Sequence, residues 1–203
     1  MDIAITFFSL FVLLFSVIIH EVAHGSVAYY MGDPTAKDAG RLTLNPLKHL
    51  DPFGSVIVPL FLFISTMGEG PIFAWAKPVP VNPYNFRDQR WGALKVAIAG
   101  PATNFLIGII FSLIIRFFSL SQGLLSMFTI IAFYNFAWGI FNMIPFPPLD
   151  GYHILFAFLP RGWENIKFIL KRYSLILFFL FIMFGLRFVF LGAAYLYTLV
   201  AGL

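Results

Sequence analysis

The chain reads as an all-α polytopic membrane protein, with about four transmembrane helices, a short or re-entrant fifth segment, and small extended elements in its loops. Three observations predict this. Of its 203 residues 60% are hydrophobic and only 11% charged, far from the balance of soluble domains. Four stretches reach the ~20 apolar residues that one crossing needs. Most of the 13 Lys and Arg are gathered into loops between those stretches. In this class the net charge of +4 reports orientation in a lipid bilayer, and no nucleic-acid partner is expected. With no cysteine, disulfides and a thiolate metal site are excluded. Residues 1–203 are expected to form a single membrane-embedded domain. A signal peptide is not expected, because the N-terminus offers Asp2 and no basic region.

Taken in order, the expected spans are 3–31, 91–118, 124–144 and 173–200. Segment 52–67 is too short to be read as a simple span. It carries Gly54 and Pro59, as a re-entrant or interfacial piece would. Three loops hold the cations: Lys37, Arg41 and Lys48; Lys77, Arg87 and Arg90; and Arg161, Lys167, Lys171 and Arg172. If 52–67 dips in and returns, all three share one side and the uncharged connection 119–123 lies opposite. The positive-inside rule then places the basic loops in the cytoplasm and the N-terminus outside. Stretch 39–44 suits a short edge strand, and 73–81, interrupted by Pro78 and Pro80, a clamped proline-rich loop. Residues 161–172 mix Trp163, Ile166, Phe168, Ile169 and Leu170 with basic residues, as a helix at the cytoplasmic interface would.

The first span contains His20-Glu21-Val22-Ala23-His24. On a helix, residues four apart share a face, so both imidazoles can reach one zinc ion, with Glu21 beside them as a base. A catalytic zinc takes a third protein ligand as a rule, here a carboxylate or another histidine. Asp150 stands out. It follows an apolar helix and prolines 145, 147 and 148, which stop that helix, and Gly151 after it permits a close approach. His24 lies about seven residues, roughly 10 Å at the helical rise, from the end of its span. In the re-entrant topology Asp150 sits at the same membrane face, so the three ligands can meet. In the spanning alternative they cannot.

These residues resemble the site-2 protease family of intramembrane zinc metalloproteases. The likeness rests on HEVAHG at 20–25, on Ala99-Gly100-Pro101-Ala102-Thr103-Asn104, and on Asn142 through Pro147-Pro148-Leu149-Asp150-Gly151. It implies one zinc per chain on His20, His24 and Asp150, Glu21 as the catalytic carboxylate, and Asn142 as a group that polarises the scissile carbonyl. Together with the loop charges, this makes the expected protein a multi-pass cell-membrane enzyme whose active site lies toward the cytoplasmic side. Transmembrane proteins are the implied substrates, cut in or near their spans and often trimmed first by another protease. Many members carry a PDZ or CBS domain, for which this chain has no room.

Competing readings exist for each residue. A hydrogen-bonded histidine pair inside a bundle would explain His20 and His24, but ionisable groups at membrane depth are costly, ~2.5–3.5 kcal/mol for an aspartate. Asp150 could cap the helix that follows it. Asn135, seven residues before Asn142 on the same helix face, and Asn104 are further candidates to point at the site, but read more readily as packing contacts. Ala93, Ala97, Gly100 and Gly108 read as close-packing positions. His49 and His153 read as loop or interface residues, with His153 close enough to Asp150 to support it. A non-catalytic metal-binding or transport protein is the alternative function. A further one is a zinc protease of another polytopic family, with a glutamate or histidine in place of Asp150.

Overall fold

The computed structural model describes residues 3–65, 67, 76–88, 91–159 and 161–203. Its architecture is a helical bundle. Helix α1 spans Ile3–Tyr30 and buries Val12, Ser16, His20, His24 and Ala28. That row recurs every four residues, so it forms one ridge of the helix. A four-residue helix, α2, covers Thr35–Asp38. A π-helical stretch of six residues, Pro52–Ile57, runs into the eight-residue α3, Val58–Ser65. Neither piece approaches the length of a span.

Helices α4 (Gly92–Phe117) and α5 (Gln122–Asn142) form the centre, with α4 packed on both α1 and α5. Its buried residues Ala97, Gly100, Pro101, Asn104, Gly108 and Ser112 are again spaced by three and four. Small side chains along such a ridge let backbones approach closely in a membrane bundle. A second core joins α5 to α9 (Leu186–Ala201) through Ala132, Phe136, Ala137, Val189 and Ala193. Between α5 and α9 lie α6 (Asp150–Phe158), α7 (Glu164–Arg172) and α8 (Ser174–Phe184). Glu164 begins α7, and Lys171 and Arg172 end it, which matches the helix dipole.

α1, α4 and α5 are each long and apolar enough to cross a membrane, and α8 with α9 makes a fourth span if counted as one. The stretch expected as a single helix over 173–200 is bent there by 59°. The break falls at Gly185, where the Phe181 ring lies across the backbone position a Cβ would fill. A second expectation is corrected. Stretch 39–44 forms no strand, and the extended elements among the described residues reduce to one isolated bridge, Leu50 with Ala76. Gly40 takes a left-handed φ of +63°, and the Thr43 carbonyl accepts from the His49 ring at 2.7 Å. The Gly40 and Arg41 amides are likewise given to the Lys37 and Ala36 carbonyls, each at 2.9 Å, so these groups are engaged locally and not in a ladder. Of the proline-rich loop, Ala76 forms that bridge and residues 77–81 carry no regular secondary structure, while 73–75 lie outside the described residues.

Beyond α1 the chain is tied down by Asp33, which is fully buried. Its carboxylate accepts from the Thr35 amide at 3.1 Å and hydroxyl, from the Asn82 amide at 2.7 Å, and from the Asn85 side chain at 2.8 Å. Burial pushes its pKa up, but these hydrogen bonds outweigh burial and hold it below the ordinary aspartate range. The stability it contributes is therefore complete above the ordinary aspartate value and lost as pH falls through the lowered one. Asp33→Ala is expected to cost about 1–3 kcal/mol, the penalty for stranding buried partners. Thermal unfolding followed against pH checks this: parent and variant should converge in acid. A constant gap would show that the carboxylate charge is not what matters.

Candidate functional site

Packing of α1 against α4 sets the geometry. The His20 ring meets the Asn104 side chain, with Nδ1 2.7 Å from Oδ1. The Asn104 amide nitrogen donates to the Ser16 carbonyl at 3.1 Å and to Asn135 Oδ1 at 2.9 Å. Those two bonds orient the amide, so its oxygen faces His20 and the Nδ1 proton is on His20. His24 Nδ1 sits 2.6 Å from the Val96 carbonyl, which can only accept. Both rings therefore donate from Nδ1, which in the neutral imidazole leaves a lone pair on Nε2.

Those lone pairs converge. His20 Nε2 lies 3.0 Å from His24 Nε2, and Asp150 Oδ2 lies 3.0 Å and 3.2 Å from the two nitrogens. Three acceptor atoms facing one another repel unless a cation sits among them. Tetrahedral ligands about 2.0–2.1 Å from zinc stand about 3.3 Å apart, close to the observed triangle. Two imidazoles and one carboxylate are also a donor set that zinc accepts. The residues present fit the metal.

Asp150 reaches this point through the α5–α6 turn, in which the Pro147–Pro148 peptide is cis. Asp150 opens α6, while Leu149 holds the cap position. At Gly151 a Cβ would fall 2.2 Å from the Met143 carbonyl oxygen. Only a residue without one allows the start of α6 to press on the end of α5. Gly100 of α4 is placed comparably: its Cβ would fall 2.4 Å from His24 Nε2 and 2.6 Å from His20 Nε2.

A cavity of about 350 Å³ opens at the triangle, lined by His20, Glu21, His24, Asp150, Asn142 and His153 together with apolar residues such as Val79, Phe86 and Ala97. The Glu21 carboxylate accepts the Val79 backbone N–H at 2.8 Å through Oε2. Asn142 gives one N–H to the Trp138 carbonyl at 3.0 Å. Asn135, seven residues before it on the same helix, does not line the cavity; it is buried behind Asn104.

The profile of Peptidase family M50 matches residues 118–186, the part of the chain that contains Asn142 and Asp150. YwhC of Bacillus subtilis, provisionally named a zinc metalloprotease, is 41% identical over 159 residues, 74% of this chain and 68% of YwhC. The chain belongs to Peptidase family M50. It is accordingly a membrane zinc metalloprotease of the site-2 type, as the resemblance implied. The zinc metalloprotease MJ0392 of Methanocaldococcus jannaschii is 29% identical over 78% of this chain, and Rip2 of Mycobacterium tuberculosis 29% over 84%. The chain spans 36% and 64% of the length of these two relatives. No solved structure matches it.

The structure revises one reading within the site. Asn104, which the sequence offers as a site candidate but more readily as a packing contact, holds the His20 ring of the triangle through Nδ1. Its signal was present, since a histidine that ligates a metal needs a partner for its other nitrogen and a polar residue in a span needs a reason. Partners of this kind are typically worth 10–100-fold in metal affinity or activity. Asn104→Ala is expected to weaken zinc binding by about that factor, measured by competition with a chelator, with the helical circular dichroism unchanged. An unaltered zinc affinity would reduce Asn104 to packing.

Proposed function

We propose that this protein is an intramembrane endopeptidase that hydrolyses peptide bonds in or near the transmembrane segments of membrane proteins. The observation that carries the reading is the convergence of His20 Nε2, His24 Nε2 and Asp150 Oδ2 beside Glu21, in a cavity among apolar helices. His20, His24 and Asp150 hold the zinc. When bound, zinc supplies Lewis acidity that acidifies water and polarises a carbonyl.

The chain's own groups do the rest. Glu21 Oε2 is engaged by the Val79 N–H, which leaves Oε1 to take the proton of the attacking water and deliver it to the leaving amine. The Asn142 amide, at the cavity wall, donates toward the carbonyl oxygen as it gains charge. The apolar lining keeps bulk water away and strengthens both interactions.

The loop cations favour an active site near the cytoplasmic face of the cell membrane, with 52–67 re-entrant and α7 lying at that interface. Residues 1–203 act as one domain. Single-pass proteins already trimmed by another protease are the substrate class that the family membership supports. Quantitative proteomics of membrane peptides tests the reading: cells carrying Glu21→Gln in place of the native protein should accumulate intact single-pass segments. A membrane peptidome unchanged by the replacement favours the non-catalytic metal-binding or transport protein, which has no need of a carboxylate at position 21.

A further inference from the structure

Resting on that reading of Glu21 as the base, we propose that Arg41 is a positioning residue for the Glu21 carboxylate, acting through the strap of residues 76–81. Arg41 is distant in sequence from the site and 94% buried by area, at 6% exposure. No carboxylate pairs with it among the described residues. Its Nη2 donates instead to two successive backbone carbonyls of the strap, those of Lys77 and Pro78. Its Nε is buried without a hydrogen-bond partner among the described residues. A buried cation is costly when its donors are incompletely matched, so this site holds its charge at the expense of stability. What the charge does there is clamp two peptide groups.

The peptide group that follows performs the function. Val79 lies between Pro78 and Pro80. Neither proline has an N–H, and each holds its own φ near −65°. Val79 therefore offers the only amide proton between Lys77 and Val81, and that proton is given to Glu21 Oε2 at 2.8 Å. Upstream, the Lys77 amide is tied to the His49 carbonyl at 2.9 Å. Downstream, the Asn82 amide is tied to Asp33 at 2.7 Å. With both ends held, the Arg41 clamp sets where the Val79 N–H stands, and that donor selects which Glu21 oxygen faces the cavity. Small errors in such placement are expensive, since about 1 Å of misplacement can cost 10²-fold in rate.

The test uses full-length protein loaded with zinc in nanodiscs and a fluorogenic single-pass peptide as probe. Arg41→Ala is expected to lower kcat by about 10–100-fold, with KM within about threefold and zinc content unchanged. Arg41→Lys, whose ammonium can still reach the carbonyls, should recover part of the loss. An independent readout is hydrogen exchange at the Val79 amide, which should quicken at least about tenfold in Arg41→Ala. Val79 protection equal to the parent's, or lost protection with kcat unchanged, overturns the proposal. If Arg41→Ala fails to fold, Arg41→Lys decides alone: Val79 exchange and kcat between those of the parent and the Glu21→Ala variant support the clamp, and parental values of both overturn it. If the parent cleaves no probe, the protease reading is what fails. The exchange experiment still decides whether Arg41 sets the Val79–Glu21 bond.

Discussion

Glu21→Gln is expected to abolish cleavage while leaving the fold and the zinc in place. The substitution keeps the shape of the side chain, and its amide oxygen can still accept the Val79 N–H that Glu21 accepts at 2.8 Å. The three atoms that face one another belong to His20, His24 and Asp150, so the donor triangle loses nothing. What disappears is the ability to take a proton from water, because an amide is far too weak a base. Loss of a positioned acid–base group costs about 10²–10⁴-fold. The combination to measure is zinc content by elemental analysis, unfolding temperature, and turnover of a transmembrane peptide. Undiminished turnover would remove Glu21 from the mechanism, and loss of zinc would make it part of the metal site instead.

Gly100→Ala should be nearly as damaging, by a different physical route. Its added methyl would stand 2.4 Å from His24 Nε2 and 2.6 Å from two atoms of the His20 ring, well inside van der Waals contact. Most clashes with side-chain ends are relieved by rotation. These are not, because Asn104 holds one ring and the Val96 carbonyl the other. Relief requires giving up either those hydrogen bonds or the approach of α4 to α1. Zinc affinity is expected to fall by at least about 10²-fold, the upper end of the losses seen when ligand-supporting groups are removed. Asp150→Ala serves as the reference for loss of a ligand. A Gly100→Ala protein that binds zinc as the parent does would mean that α4 can shift without disturbing the triangle.

Both outcomes bear on how far this chain can be read without its structure. Local properties were accessible. Apolar runs of the right length marked α1, α4 and α5, because spanning is a matter of composition over some twenty residues. The i, i+4 spacing of His20 and His24 placed them on one face, because helical periodicity is local. The prolines after Asn142 marked the stop before Asp150, because proline acts on its own turn. The bend at Gly185 and the non-strand conformation of 39–44 were missed for a converse reason. Each is decided by what a ring, a guanidinium or a carbonyl finds nearby, and the pattern of residue types does not record that.

The sequence by itself determined the membrane class, the histidine pair and the choice of Asp150 as the carboxylate to test against them. The tertiary structure alone decided which atoms meet. It joined Asn104 to His20, the Val96 carbonyl to His24, and the Val79 N–H to Glu21. Two of these three partners are backbone groups, which every residue carries alike, so no side-chain pattern can single them out. They acquire a role only when α4 and the strap are packed against one face of α1.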